Sequence, residues 1–257
     1  MKAKLETILR DCGKALLKLN LNQRSQGQWE GSQFKAGADN LAHQFLKSEL
    51  SKKFSLPIVS EEDSDSLSNQ SADYLLIDPI DGTASYAHGF KGWVSQIAVI
   101  SNQVPVAGAI LAPETGEFYF AELGKGATLN NCPIKVLTGS QQKIDSIIDN
   151  YPTPTGITKE LVEHFSIPNY IESGSIGLKI CKVASGTSQL FFKNMNPKDW
   201  DLAAPQVVIN EAGGSLLDLS LQPFNYGRSG RSHDGIIASC DPAISTLVSN
   251  WYKSINS

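Results

Sequence analysis

Neither charge sign dominates this sequence, and no stretch of it is long and apolar. Lys and Arg number 22 against 26 Asp and Glu, giving a formal charge of −4. A pI near 5.6 leaves no basic surface for a nucleic-acid polymer. No run of like charges points to an anionic membrane. No window approaches the roughly 18 apolar residues of a membrane span. The stretch MKAKLETILRDCGKALLKL lacks the apolar core of a signal peptide. Cysteine is scarce: Cys12, Cys132, Cys181 and Cys240 lie far apart, none at CxxC spacing, which argues against a zinc or dithiol redox site. Each reads as a small, mostly buried apolar residue in a reducing compartment, which predicts a cytoplasmic protein. His164 and His233 have no partners at metal-ligand spacing; His43 reads as a packing or surface residue and His88 as a turn residue. There is no G-x-S-x-G elbow, and ELGKGAT lacks the spacing of a phosphate loop and reads as a hairpin turn.

What is present is an ordinary globular composition, 41% hydrophobic and 19% charged over 257 residues, enough for one large domain or two packed halves. Leu5, Ile8, Leu9, Cys12, Leu16 and Leu19 recur at helical spacing, predicting a helix over 3–20. NQRSQGQWEGSQ reads as an exposed loop. Asp39 then caps or opens a second helix, with Leu41, Phe45, Leu46 and Leu50 on one face. PIVS, YLLID, VSQIAVI, VAGAILAP and EFYFAEL follow, separated by turn residues, with the rhythm of an antiparallel meander. After about residue 138 strand-like and helix-like pieces alternate: SIIDN, a helix near 157–165, SIGLKICKVASG, QLFFK, and WDLAAPQVVINEAGG ending on a Gly pair suited to a helix stop. Two α+β halves are expected, 1–138 and 139–257, with Trp93 and Trp200 as core anchors.

Acidic residues gather at the ends of these apolar runs: Asp39, Glu61, Glu62, Asp78, Asp81 and Asp201. Carboxylates are the usual hard-oxygen ligands of Mg²⁺. In LLIDPIDGTASYAHGF, Asp78 and Asp81 stand three apart around Pro79, which stiffens the turn and leaves the Ile80 carbonyl free to point with them. Gly82 and Thr83 then offer backbone N–H groups that can cradle an anion at a helix start. Taken singly, each element also fits a plain turn or solvated loop. Together they favour metal-assisted phosphoryl transfer to water.

DPIDGT after an apolar strand, SEED some fifteen residues upstream and WDLAAPQVVINEAGG far downstream resemble the inositol monophosphatase superfamily over nearly the whole chain. That superfamily of Mg²⁺-dependent, lithium-sensitive phosphatases includes the 3′(2′),5′-bisphosphate nucleotidases of CysQ type. The resemblance implies a layered αβαβα sandwich, with an antiparallel N-terminal sheet and a mixed C-terminal one. It implies two or three Mg²⁺ ions on Glu61, Asp78, the Ile80 carbonyl, Asp81 and Asp201. Thr83 with Asp39, and Glu61 through the metal, would serve catalysis; Gly82, Thr83, Lys179 and Asp201 would contact a small phosphorylated substrate. Dimers are common in the family, so a homodimer is a further expectation. Two positions depart from its pattern: Ala36 replaces the usual Thr three residues before Asp39, and Asn194 replaces the glutamate seven residues before Asp201 that reads inositol hydroxyls.

Lys179 in SGSIGLKICKVASG fits a lysine that in the nucleotidase branch contacts a second phosphate, and equally a charge exposed at a helix edge. His88 after DPIDGT resembles the inositol branch instead. The balance falls on 3′-phosphoadenosine 5′-phosphate, with inositol monophosphate as the alternative; an inactive binding protein of the same fold is the reading from another class. The like charges also predict that Asp81→Asn abolishes activity while slightly stabilising the metal-free fold.

Overall fold

The computed structural model describes residues 1–30, 33–69, 71–138, 143–226 and 232–256, and for 28–30 and 33–36 the backbone alone. Helix α1 (Lys2–Leu17) forms because Leu5, Ile8, Leu9, Cys12 and Leu16 stack on one buried face. A single turn, α2 (Leu21–Arg24), is closed by a reciprocal cap in which Asn20 and Gln23 each accept the other's backbone N–H, at 3.0 and 2.9 Å. Strands β1 (Gly27–Glu30) and β2 (Gln33–Ala36) then pair antiparallel. This corrects the expected loop over NQRSQGQWEGSQ: a short Gln- and Gly-rich ribbon carries no apolar alternation to betray it. The Ala36 side chain lies outside the described residues.

Helix α3 (Gly37–Ser51) buries Ala38, Asp39, Ala42, His43, Leu46 and Leu50, whereas Leu41 is exposed. The expected apolar face is thus rotated, because two polar residues, Asp39 and His43, turn inward with the leucines. Strands β3 (Ile58–Ser60), β4 (Tyr74–Asp81), β5 (Val94–Ser101), β6 (Val104–Ala112), β7 (Glu117–Glu122), β8 (Ala127–Leu129) and β9 (Cys132–Ile134) form one sheet in chain order. The meander from β4 to β9 is antiparallel, and β3 joins β4 in parallel. The short helix α4 (Thr83–Ala87) follows β4.

Beyond it lie β10 (Ser146–Asp149), α5 (Gly156–Phe165), β11 (Asn169–Glu172), α6 (Ile176–Ala184), β12 (Leu190–Lys193), α7 (Asp199–Glu211), β13 (Ser215–Leu217), β14 (Ile236–Ser239) and α8 (Pro242–Ile255). The second sheet is mixed, in the order β11-β10-β12-β14-β13. Side chains from α1 and α3 pack on Leu75 and Ile77 of β4; those of α6 and α7 pack on Leu76 and Ala98 and, on their other side, on Ile148, Phe191 and Ile236. Ile147, Leu190, Phe192 and Ile237 face α5 and α8. The layers therefore run helix, sheet, helix, sheet, helix. Trp93 and Trp200 are both buried, as are Cys12, Cys181 and Cys240; Cys132 is exposed on β9, which corrects its expected burial. No described helix is long and apolar enough to cross a membrane.

The GKGAT segment is the turn between β7 and β8, and it does bind an anion. The Gly124 and Gly126 amides donate to the two oxygens of Glu211, at 2.8 and 2.7 Å, fixing the far end of α7. Helix α7 also presses on the sheet, since a Cβ at Gly108 would lie 2.1 Å from the Ala204 carbonyl oxygen.

Candidate active site

Residues three apart on a regular strand point to opposite faces. Strand β4 avoids this with a bulge: Asp78 pairs Gln96 and Asp81 pairs Val94, so Pro79 and Ile80 together face Ser95 alone. Ser95 Oγ donates to the Pro79 carbonyl at 2.6 Å, and proline has no N–H to leave unpaired. The extra residue brings Asp78 and Asp81 to the same side. Asp201, in the first turn of α7, joins them, its Oδ2 held by the Lys198 N–H at 2.6 Å. One oxygen from each of Asp78, Asp81 and Asp201 lies within 4.8 Å of the others. Glu61 stands outside that trio, yet its carboxyl is pushed well up by burial and by the charges of Asp201 and Glu62.

Gly82 turns the chain through a left-handed conformation, φ +89°, that glycine adopts without strain. Thr83 follows, its Oγ1 3.1 Å from Asp39 Oδ1 and 3.0 Å from the Ile80 carbonyl. Asp39, Ile80, Gly82 and Thr83 therefore meet, although 44 residues separate Asp39 from Thr83.

Burial, then Glu61, Asp81 and Asp201, hold the Asp78 carboxyl well above the usual range. Burial, then Asp81, raises Asp201 to about 7. Burial also raises Asp81, against the opposing pull of the Gly177 amide and the Lys179 ammonium. Inside this crowd of acids Asp78 Oδ1, fully enclosed, has no hydrogen-bond partner among the described residues. A divalent cation would supply what the orphaned oxygen and the crowded charges lack, and the donors are the hard oxygens such an ion prefers.

The Inositol monophosphatase family profile matches residues 4–250. The chain belongs to this family.

Its members are metal-dependent hydrolases of phosphate monoesters, in general requiring Mg²⁺. Inositol monophosphatase 1 of Solanum lycopersicum is 31% identical over 157 residues, 58% of each chain, so this chain spans little more than half of that relative's length. A putative Nus factor SuhB of Neisseria meningitidis is 31% identical over 195 residues, 71% of this chain and 70% of that one. The 3′(2′),5′-bisphosphate nucleotidase CysQ of Aggregatibacter actinomycetemcomitans is 29% identical over 213 residues, 74% of each. Among solved structures, SuhB of Bartonella henselae superposes with a TM-score of 0.81 at 24% identity, covering 97% of this chain and 96% of that one. The likeness carries the fold, and agrees with the layered sandwich.

Within the family frame, two contacts were invisible in the sequence. The Asp81 carboxylate accepts the backbone N–H groups of Ile176 (3.2 Å) and Gly177 (2.6 Å), so it also caps α6 from 96 residues away. The loop leading into α6 touches Gly92: Ser175 N–H donates to its carbonyl at 2.6 Å, and a Cβ on Gly174 would lie 2.2 Å from that oxygen. Only the glycines themselves signalled a close approach.

Lys179 is neither at a helix edge nor open to a substrate: it is 1% exposed, and Nζ donates to Asn150 Oδ1 and the Gly174 carbonyl, 4.9 Å from the Phe191 ring centroid. Burial brings its ammonium down to about 8. Of the two readings of Lys179, the exposed edge charge is corrected to an internal tie beneath the α6 loop. Asn194 is exposed after β12, beside Lys193, whose Nζ grips both oxygens of buried Asp149 at 2.8 and 2.7 Å. His233 pairs with Asp199 at 2.6 Å, and His88 bonds its own helix at Ala84, as a turn residue would.

The raised carboxyls give a pH signature. Raised acids stabilise the fold below their ordinary values, and that stability is lost as pH climbs through the raised ones. For Asp201 the window opens near 3.8 and closes near 7. The metal-free protein should lose stability across it, and the Mg²⁺-induced rise in melting temperature should grow from near zero at its foot to full size above it. A rise that stayed flat with pH in calorimetry would rule out these carboxylates as the ligands.

Proposed function

We propose that the protein hydrolyses a small phosphate monoester with Mg²⁺, by direct attack of water. The observation that carries this is the convergence of Asp78, Asp81 and Asp201 within 4.8 Å, with the Asp39–Thr83 contact on the same turn. Asp78, Asp81, Asp201, the Ile80 carbonyl and Glu61 would hold the ions. Magnesium, when bound, supplies charge to the phosphoryl oxygens and acidity to water. Gly82 and Thr83 would seat the phosphate through their backbone N–H groups. The Thr83 hydroxyl has one proton for two acceptors, Asp39 and the Ile80 carbonyl; directed to Asp39, it leaves its lone pairs free to orient a water. The water oxygen would bond to phosphorus as the ester P–O bond breaks, its proton passing towards Asp39, while the departing alkoxide takes a proton from a second, solvent water.

For substrate we propose 3′-phosphoadenosine 5′-phosphate, supported by Asn194, which brings no negative charge where inositol monophosphatases carry their glutamate, and by the CysQ relative. The buried Lys179 withdraws one argument for it and favours the second reading, inositol monophosphate. Phosphate release from the two esters in Mg²⁺, side by side, separates them. Nucleotide preference supports the first; inositol phosphate preference moves the chain to the other branch; inertness on every phosphate ester, with or without Mg²⁺, would support a binding protein.

A further inference from the structure

Asp39, His43 and Lys47 follow one another on α3 at four-residue spacing, so their side chains leave the helix in one row. Each reaches a different part of the site region. Thr83 Oγ1 donates to Asp39 Oδ1 at 3.1 Å, His43 Nδ1 lies 2.8 Å from Ser60 Oγ, and Lys47 Nζ donates to Asp63 Oδ2 at 2.6 Å. Ser60 and Asp63 bracket Glu61. One helical face therefore grips the glutamate turn on both sides while its first residue holds Thr83.

Among the described residues, the hydrogen bonds that place Glu61 run through the backbone of its turn. That backbone is tied at several points: Glu61 N–H to the Ile77 carbonyl at 3.4 Å, Ser60 N–H to Ser66 Oγ at 3.1 Å, and Glu62 N–H to Ser60 Oγ at 3.3 Å. Ser60 is fully buried and His43 is 3% exposed, so no water competes for their bond. Ser60 is thus the point where the turn carrying Glu61 is fastened to the helix carrying Asp39.

We propose that His43 is a positioning residue for the divalent-ion site, fixing the turn at Ser60 so that Glu61 meets Asp78, Asp81 and Asp201, with Lys47 as an outer support. This rests on Glu61 being an ion ligand, as proposed above. Groups that orient a ligand without touching the ion commonly alter metal affinity by about 10–100-fold.

The test uses the full chain and reads Mn²⁺ binding by electron paramagnetic resonance without substrate, beside the Mg²⁺ dependence of phosphate release. His43→Ala should weaken Mn²⁺ binding about tenfold and raise the half-saturating Mg²⁺ by a similar factor, with kcat at saturating Mg²⁺ within about threefold of the parent. His43→Asn, whose amide can occupy the place of the Nδ1 edge, should recover most of the loss. Lys47→Met alters a half-exposed side chain and keeps the test alive if His43→Ala does not fold; it should weaken binding about twofold. A lower melting temperature in His43→Ala with unchanged Mn²⁺ affinity would make His43 a packing residue and overturn the proposal. Glu61→Gln is the reference. If it leaves Mn²⁺ binding intact, the ligand assignment fails; if it weakens binding and His43→Ala does not, only the positioning role fails.

Discussion

Asp78→Asn should raise the melting temperature of the metal-free protein by about 2–4 °C, close to 1 kcal/mol for a chain of this size, while cutting phosphate release about a thousandfold or more. Asp78 is 1% exposed, its Oδ1 has no partner among the described residues, and Glu61, Asp81 and Asp201 all press on it with like charge. The amide keeps the volume, removes the repulsion and lets its new N–H₂ donate to a neighbouring carboxylate. The same exchange removes a proposed ligand of the ion; a thousandfold is about 4 kcal/mol of barrier. Calorimetry with and without Mg²⁺, beside phosphate release, checks both halves. Near-normal turnover would remove Asp78 from the metal set, and a loss of stability would mean that repulsion does not govern this corner of the core.

Asp81→Asn should share the loss of activity but not the gain in stability. Both Asp81 oxygens accept backbone N–H groups from α6, so an amide nitrogen would have to face one of those donors. A buried donor turned against a donor costs about 1–3 kcal/mol, which outweighs the relief of charge. The stabilisation expected from the sequence at Asp81 therefore belongs to Asp78.

Gly174→Ala is expected to lower stability by about 3 kcal/mol or more. Its new Cβ would stand 2.2 Å from the Gly92 carbonyl oxygen and 2.7 Å from its carbon, and backbone cannot swing aside as a side chain can. The loop that must shift carries Ser175, Ile176 and Gly177, so Asp81 loses its amides as the loop moves. Activity should fall with stability, more than at a glycine remote from the site. Gly116→Ala is the comparison: φ there is +72° with nothing within 4 Å, so only about 1 kcal/mol of backbone strain applies. Chemical denaturation of the two variants measures the difference, and equal losses would show that the Gly92–Gly174 contact yields.

The long periodic elements were legible because burial and sequence period coincide: α1, the strands from β3 to β7, and the α7 segment all stand where the apolar pattern puts them. DPIDGT and the Trp-Asp helix start located the acids, since carboxylates placed at the ends of buried runs are rarely idle there. What stayed hidden depends on contacts between distant segments. His43 reads as surface or packing, and Leu41 as core, until Asp39 and His43 rotate α3. Lys179 reads equally as a second-phosphate contact or as a charge at a helix edge, yet α6 lies between two sheets, and Asn150 and Gly174, both outside the helix, take up its ammonium. The bulge at Pro79–Ile80 could be suspected from the proline; its partner Ser95 could not.

The cap that Asp81 places on α6 bears on when the protein becomes competent during synthesis. Asp78 and Asp81 leave the ribosome early, but the amides that hold Asp81 are 96 residues downstream and Asp201 comes later still. A nascent chain halted before residue 176 presents two adjacent acids with no helix end to hold one of them and no third carboxylate to complete the group. On the ligand set proposed above, ion capture would be deferred until translation has passed Asp201, and a truncated product would carry the DPIDGT turn without the site.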